Sequence, residues 1–176
     1  MKTTPLSLAI SALLLSTAAA SANDTPPELS QREVTLLTVD GLPFKDLNRS
    51  GKQEPYEDRR LTPKERAADL VKRMTLQEKA GVMMHGSAPT ANSPIGAGTH
   101  YDMAAAEKMI SGARVNSLIT RLSAEDPAVM AEENNKLQQI AEKTRLGIPV
   151  TISSDPRNSF EYLIGASTSS GKFTQW

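Results

Sequence analysis

The 176-residue chain contains no cysteine. That removes disulfides, thiol catalysis and cysteine–metal sites at once. Charge is absent in net terms, because 20 Lys and Arg balance 20 Asp and Glu. A chain this neutral carries no electrostatic footprint for nucleic acid or an anionic lipid surface, so neither is expected as a partner. Histidine is scarce, with only His85 and His100. A Ser-His-Asp arrangement is possible on paper, yet no serine elbow and no ordered acid can be named for either ring. Each histidine reads better as a loop residue or as the hydrogen-bonded wall of a pocket. A long hydrophobic run is also missing. The one apolar stretch, Leu6–Ala20, follows Lys2, is too short for an uncleaved span, and closes on Ala20-Ser21-Ala22. That small-x-small ending is the pattern signal peptidase reads. Residues 1–22 are therefore expected to be a cleaved signal peptide, with a mature chain that starts at Asn23, sits in the periplasm or medium and has no membrane attachment.

What is present divides into two parts. Residues 23–60 read as an extended arm with at most one edge strand around Val34–Val39, followed by a polar loop. From Leu61 the pattern becomes helical. Thr62-Pro63-Lys64-Glu65 offers a capping threonine, proline at the first helical position and a glutamate that closes a capping box. Ala67, Leu70, Val71 and Met74 share one face of that helix. Thr75-Leu76-Gln77-Glu78 is a second capping box, so another helix starts at once and runs through Met83 or Met84. His85–Tyr101 reads as a loop. Asp102 caps a short helix, Met103–Ile110, that stops at Gly112. Val115–Thr120 is a first buried strand. Asp126-Pro127 opens the longest helix, whose apolar face holds Ala128, Met130, Ala131, Leu137, Ile140 and Ala141. Its Asn134-Asn135 pair reads as a buried amide contact rather than a ligand site.

Gly147 supplies the left-handed residue that closes the long helix, and Ile148–Ser153 is a strand rich in β-branched residues. Strand, long helix, strand is one crossover unit and implies a parallel sheet. At the strand's carboxyl end stands Asp155, held extended by Pro156. Ligands of α/β folds are read at the carboxyl ends of strands, which makes Asp155 the first candidate binding residue. Its bland alternative is a cap bonding nearby backbone amides. The expected class is α/β: the first part of a (β/α)8-type barrel over residues 61–176, truncated, and preceded by the arm.

The polar loop Asp46-Leu-Asn48-Arg-Ser50-Gly51-Lys52-Gln-Glu54-Pro-Tyr-Glu57 follows the twelve-residue calcium-loop spacing. Side-chain oxygens fall at positions one, three and five, glycine at six, the Lys52 carbonyl at seven and a glutamate at twelve. A hard cation needs six to eight oxygens, and Asp46, Asn48, Ser50, Lys52 and Glu57 are its candidate ligands. The same residues also make a polar turn held by Asp and Asn side chains without an ion. Gly165–Phe173 is not a phosphate loop, because five residues separate its glycines and Phe173 follows Lys172. Gly96-Ala97-Gly98 lacks the third glycine and the preceding strand of a dinucleotide fingerprint, and reads as a loop.

Leu61–Gly81, above all its Arg73-Met-Thr-Leu-x-Glu-Lys79 core, resembles the opening of the family 3 glycoside hydrolases, the β-glucosidase family. Arg145-Leu-Gly-Ile-Pro-Val150 with Asp155 beyond it resembles the family's second landmark. Asp46–Arg59 is similar to a segment that precedes the barrel in many exported members. The resemblance covers Asp46 to Trp176 and implies a barrel followed by an α/β sandwich. It also implies removal of terminal β-linked sugars with retention, without a cofactor, from an oligosaccharide or β-glucoside substrate. Asp155 stands where the family grips hydroxyls of the terminal sugar, although Ser153-Ser154-Asp155-Pro156 replaces the common Gly-Ile-Asp. The nucleophile and the acid/base residue of such enzymes lie further along, so no catalytic residue is assigned in this chain and the piece alone is expected to be inactive. The competing expectation is a small exported, calcium-stabilised module that binds a carbohydrate or a protein without chemistry.

Overall fold

The structure is a computed structural model of the chain and describes residues 28–92, 98–122 and 126–153. The expected signal segment 1–22, Asp155 and the Gly165–Phe173 run lie outside the described residues.

The arm is a hairpin. β1 (Leu36–Val39) pairs antiparallel with β2 (Leu42–Lys45), Val39 opposite Leu42. The two-residue turn between them is Asp40-Gly41, both with positive φ, 53° and 76°. This is the backbone that matches the right-handed twist of paired strands, and an Asp-Gly pair adopts it readily. The expectation of at most one edge strand is therefore corrected. Pro43 concealed the second strand, since proline gives no ladder N–H, but here it lies opposite Thr38 on a two-stranded ribbon that is all edge. Phe44 anchors the ribbon, 1% exposed, with the guanidiniums of Arg59 and Arg60 4.8 and 5.0 Å from its ring centre.

Both capping boxes form. In α1 (Pro63–Arg73) the Glu65 N–H donates to Thr62 Oγ1 and Glu65 Oε2 accepts the Thr62 N–H. In α2 (Leu76–Val82) Thr75 and Glu78 repeat the exchange. The predicted apolar face of α1 is not a core face among the described residues. The helix buries none of its residues, Val71 is 48% exposed, and only the capping residue Met74 is buried. α3 (Met103–Glu107) is capped by Asp102 and continues into a π-turn, Lys108–Gly112. α4 (Pro127–Lys143) starts at Asp126, whose carboxylate accepts the Ala128 N–H, and ends at Thr144. Gly147 then turns the chain at φ 56°, where a Cβ would stand 2.6 Å from the Leu47 carbonyl oxygen. Only glycine meets both conditions without strain.

The core is built under a three-stranded parallel sheet, β3 (His85–Ser87), β4 (Ser117–Ile119) and β5 (Thr151–Ser153), in that order. The strands are in register, with His85 beside Ser117 beside Thr151 and Ser87 beside Ile119 beside Ser153. The mixed α/β class and the parallel crossover from β4 through α4 to β5 are as expected. β3 corrects the reading of His85–Tyr101 as loop throughout. His-Gly-Ser has no strand propensity of its own, and the pairing to β4 makes it a strand, extended by the Ala88 N–H to Ile119 O bond at 2.9 Å. Below the sheet, Leu118, Ala106, Ile110, Leu137, Ile140 and Ala141 form the dense part of the core. Ala128 and Ala131 of α4 are exposed, so the buried stripe of that helix is narrower than the sequence face. Its remaining buried positions go to Glu133 and Glu142.

Residues of a strand alternate between faces. Leu118 points into the core, which leaves His85, Ser87, Ser117, Ile119, Thr151 and Ser153 on the other face, none of them fully buried. Among the described residues no further strand pairs with the outer edge of β3 or of β5. No helix among them is long and apolar enough to cross a membrane.

Candidate functional site

Among the described residues, polar side chains gather in the loop Asp46–Glu57 and on the face and carboxyl ends of the parallel sheet. In the loop, Asp46 and Glu57 are buried, 3% and 6% exposed. Asp46 accepts the Ser50 N–H on one carboxylate oxygen and the Gly51 N–H on the other, each at 2.9 Å. Glu57 accepts from Leu47 at 2.8 Å and from Asn48 on one oxygen, and from the Glu54 N–H at 2.9 Å on the other. The structure thus brings the first and twelfth positions together, and adds a third acid. One carboxylate oxygen from each of Asp46, Glu54 and Glu57 lies within 4.8 Å of the others. Glu54 is absent from the predicted set; it occupies the ninth position, where such loops often ligate through water, and that spacing could have found it. Ser50 Oγ lies 3.0 Å from the Lys52 carbonyl oxygen and 3.0 Å from Glu54. Asn48 Oδ1 accepts the Ser50 N–H at 3.1 Å, the same N–H that bonds Asp46 Oδ1, which is a local turn bond.

The donor set fits a hard cation. It consists of oxygens alone, three of them from carboxylates. Each carboxylate oxygen bonded to a backbone N–H keeps lone-pair capacity for an ion. The same N–H bonds hold the loop without one, so the geometry accommodates both expectations raised for this segment. Burial raises the pKa of Glu57, with the Glu54 acid adding to the shift, while the N–H groups of Glu54, Leu47 and Asn48 pull the other way. Tyr56, next to it, is buried, and its hydroxyl donates to the Leu146 carbonyl at 3.2 Å, which docks the loop on the turn after α4.

On the sheet, His85 bridges two strands. Its Nδ1 is 2.7 Å from Ser117 Oγ and its Nε2 3.3 Å from Ser153 Oγ. Among the described residues no carboxylate orients the ring, and Ser117, His85 and Ser153 form a hydrogen-bonded strip across the three strands. At the carboxyl end of β3, Ser87 Oγ accepts a hydrogen bond from Arg121 Nε at 2.9 Å. His100 lies elsewhere: its Nδ1 is 3.2 Å from buried Glu133, whose other oxygen accepts the Tyr101 N–H. The Tyr101 hydroxyl meets Thr120 Oγ1 at 2.8 Å and Asn134 Oδ1 at 2.9 Å; Asn134 thus makes an amide contact while half-buried, and Asn135, expected to share a buried contact, is exposed.

No family model matches the chain. Known proteins do. A periplasmic β-glucosidase/β-xylosidase of Dickeya chrysanthemi is 68% identical over 148 residues, which are 84% of this chain and 23% of that protein. A β-glucosidase C of Emericella nidulans is 33% identical over 151 residues, 84% of this chain and 22% of that protein. The chain is a homologue of the β-glucosidases. It spans under a quarter of the length of these relatives.

In this β-glucosidase homologue the two sequence landmarks touch each other. The Arg145 guanidinium forks onto Glu78, Nε to Oε1 at 3.1 Å and Nη2 to Oε2 at 2.5 Å, and Nη2 also reaches the Arg73 carbonyl at 2.8 Å. Glu78 is at once the closing residue of the α2 capping box. Burial opposes its ionisation, but Arg145 and the Thr75 N–H outweigh it and hold its carboxyl below the usual range. Arg73-Met-Thr-Leu-Gln-Glu and Arg145-Leu-Gly are therefore tied to one joint that locks α2 against the turn after α4. The chemistry offered at the strand ends is of another kind. Ser87, Arg121 and Ser153 can hold hydroxyl groups, and none of them can serve as the carboxylate nucleophile or acid of a glycosidase.

Proposed function

We propose that this chain is the amino-terminal portion of an exported, retaining β-glycosidase of glycoside hydrolase family 3, acting on terminal β-linked sugars of a β-glucoside or oligosaccharide. The observation that carries the reading is the 68% identity over 84% of the chain to a periplasmic β-glucosidase/β-xylosidase. The parallel sheet supports it, because consecutive parallel strands joined through helices, β3 through α3 to β4 and β4 through α4 to β5, are the repeating unit from which a (β/α)8-type barrel is built. In that frame Asp155, two residues beyond β5, binds hydroxyls of the terminal sugar. A carboxylate suits that task, since its charge-assisted hydrogen bonds are stronger than neutral ones. Retention needs two carboxyl groups about 5–5.5 Å apart, one as nucleophile and one as acid/base. In this proposal both come from the downstream part of the enzyme, and the present chain contributes binding and position. Export to the periplasm or medium follows from the residues 1–22 signal.

Calcium belongs to the same proposal as a structural ion. Asp46, Glu54 and Glu57 would hold it, with Ser50, Asn48 and the Lys52 carbonyl completing the oxygen set. The ion would supply charge compensation among three clustered acids and takes no part in hydrolysis.

The test compares two proteins on an aryl β-glucoside. One is the chain alone from Asn23 to Trp176. The other is a joined protein, in which this chain replaces the segment of the Dickeya chrysanthemi relative that it matches. Turnover is expected from the joined protein only. An inactive joined protein that folds as the relative does refutes the proposal, and turnover by the short chain refutes the assignment of nucleophile and acid/base to downstream residues.

A further inference from the structure

We infer that Arg121, steadied by Ser87, is a substrate-contacting residue that binds sugar hydroxyls at the carboxyl mouth of the sheet. This rests on the β-glycosidase reading above and names a part of its glycone site that neither the sequence landmarks nor Asp155 include.

Arg121 follows β4 by two residues, at the carboxyl end where open α/β sheets and barrels read their ligands. Ser87 ends β3, and its register with Ile119 and Ser153 puts its side chain on the face away from the core. The Arg121 Nε to Ser87 Oγ bond of 2.9 Å draws the guanidinium from the end of β4 across to the end of β3, on that same side. This bond uses one of five N–H donors and leaves both terminal nitrogens to project. Among the described residues Arg121 makes no other hydrogen bond and no ion pair. Arg32, Arg60, Arg73 and Arg145, by contrast, are each paired with a carboxylate. An arginine fixed at one nitrogen, with no carboxylate paired to it among the described residues, is arranged to donate outward. A neutral polyol is a fitting acceptor: the planar fork can span two adjacent hydroxyl oxygens and needs no anion to do so. The neighbours are of matching kind. Ser153 ends the next strand, and the strip Ser117–His85–Ser153 lines the face behind it with hydroxyls and an imidazole. Ser87 acts through Arg121 and is a positioning residue.

The test uses the joined protein and the variants Arg121→Ala, Arg121→Lys, Ser87→Ala and Ser87→Thr. On an aryl β-glucoside Arg121→Ala is expected to lower kcat/KM roughly 10- to 100-fold, the worth of a hydrogen bond from a charged donor. Arg121→Lys restores only part of that, because a point charge does not reproduce the fork. Ser87→Ala gives a smaller loss that Ser87→Thr recovers, with melting temperatures unchanged throughout. A series of monodeoxy aryl β-glucosides separates contact from scaffold. The Arg121→Ala penalty should vanish for the substrate that lacks the contacted hydroxyl and persist for the others. A kcat/KM within twofold of the parent, or a penalty equal across the deoxy series, overturns the inference. Glucose binding by calorimetry keeps the question open to decision if the joined parent binds sugar without turning it over. In that case the hydrolase reading fails alone, while Arg121→Ala must still weaken binding about tenfold or the inference fails too. A folded parent that neither binds nor hydrolyses overturns both.

Discussion

Replacing Gly81 with alanine sets two well-defined effects against each other. Gly81 lies near the end of α2, where helix propensity alone favours alanine by about 1 kcal/mol. A Cβ built at that position collides with the Arg114 carbonyl and lies 2.7 Å from the Ala113 carbonyl oxygen. Those atoms are backbone, in the turn that leads into β4, and cannot rotate away as a side-chain tip could. Relief requires α2 to move off the turn, which disturbs the Glu78–Arg145 joint and the entry to the core strand together. Overpacking of this kind costs about 1–3 kcal/mol and more where backbone must shift, so the steric cost wins and a net loss of roughly 2 kcal/mol is expected. Gly112 is the control. A Cβ there meets nothing within 4 Å and its φ is not positive, so Gly112→Ala should be neutral or stabilising by about 0.4–1 kcal/mol. Urea denaturation followed by circular dichroism measures both. Gly81→Ala with a midpoint at or above that of the parent would refute the close approach of α2 to the Arg114 turn.

Calcium should raise the melting temperature by mass action, by the equivalent of about 2.7 kcal/mol at a hundredfold excess over the dissociation constant, and Glu57→Gln should abolish the gain. Because the Glu57 pKa is raised, proton and ion compete there, and the calcium effect should grow as pH rises through that value. A melting temperature indifferent to calcium and to chelator leaves the polar turn alone. Acid should release the arm from α4. Buried Glu142 accepts the Arg32 and Glu33 N–H groups at 2.9 Å and Lys45 Nζ at 2.8 Å. Burial opposes its ionisation, but Lys45 and those N–H groups hold its pKa below the usual value. Its stabilisation is therefore complete above the unfolded-state value and is lost as pH falls through the folded one. Hydrogen exchange of Val34–Lys45 should accelerate across that window, and Glu142→Gln should flatten the response. Unchanged exchange down to complete unfolding would contradict it.

Local chemistry was legible in the sequence wherever one segment decides its own structure. Thr62/Glu65, Thr75/Glu78, Asp102 and Asp126 start their helices as read, because a cap needs only a side chain and the next turn. Gly147 is left-handed as read. What escaped depended on distant partners or on a misweighted signal. β3 is His-Gly-Ser and becomes a strand by lying beside β4. The arm's hairpin was announced by Asp40-Gly41 but masked by Pro43. The reading of the loop took Asp46 and Glu57 and passed over Glu54, although its ninth position is a ligand position of the same spacing. Arg121 carries no local signal at all; its meaning comes from Ser87, 34 positions away, across two strands. Periodicity put Ala67, Leu70, Val71 and Met74 on one face of α1, but it specifies only an apolar stripe and says nothing about whether a partner lies within these residues.

The central claim, that this chain supplies the sugar-gripping end of a β-glycosidase, is tested most directly by kcat/KM of the joined protein with Asp155→Ala on an aryl β-glucoside. The sugar contacts tighten as the ring distorts toward the transition state, so most of kcat/KM should be lost while the melting temperature holds. A folded Asp155→Ala protein with the parent's kcat/KM would contradict the account.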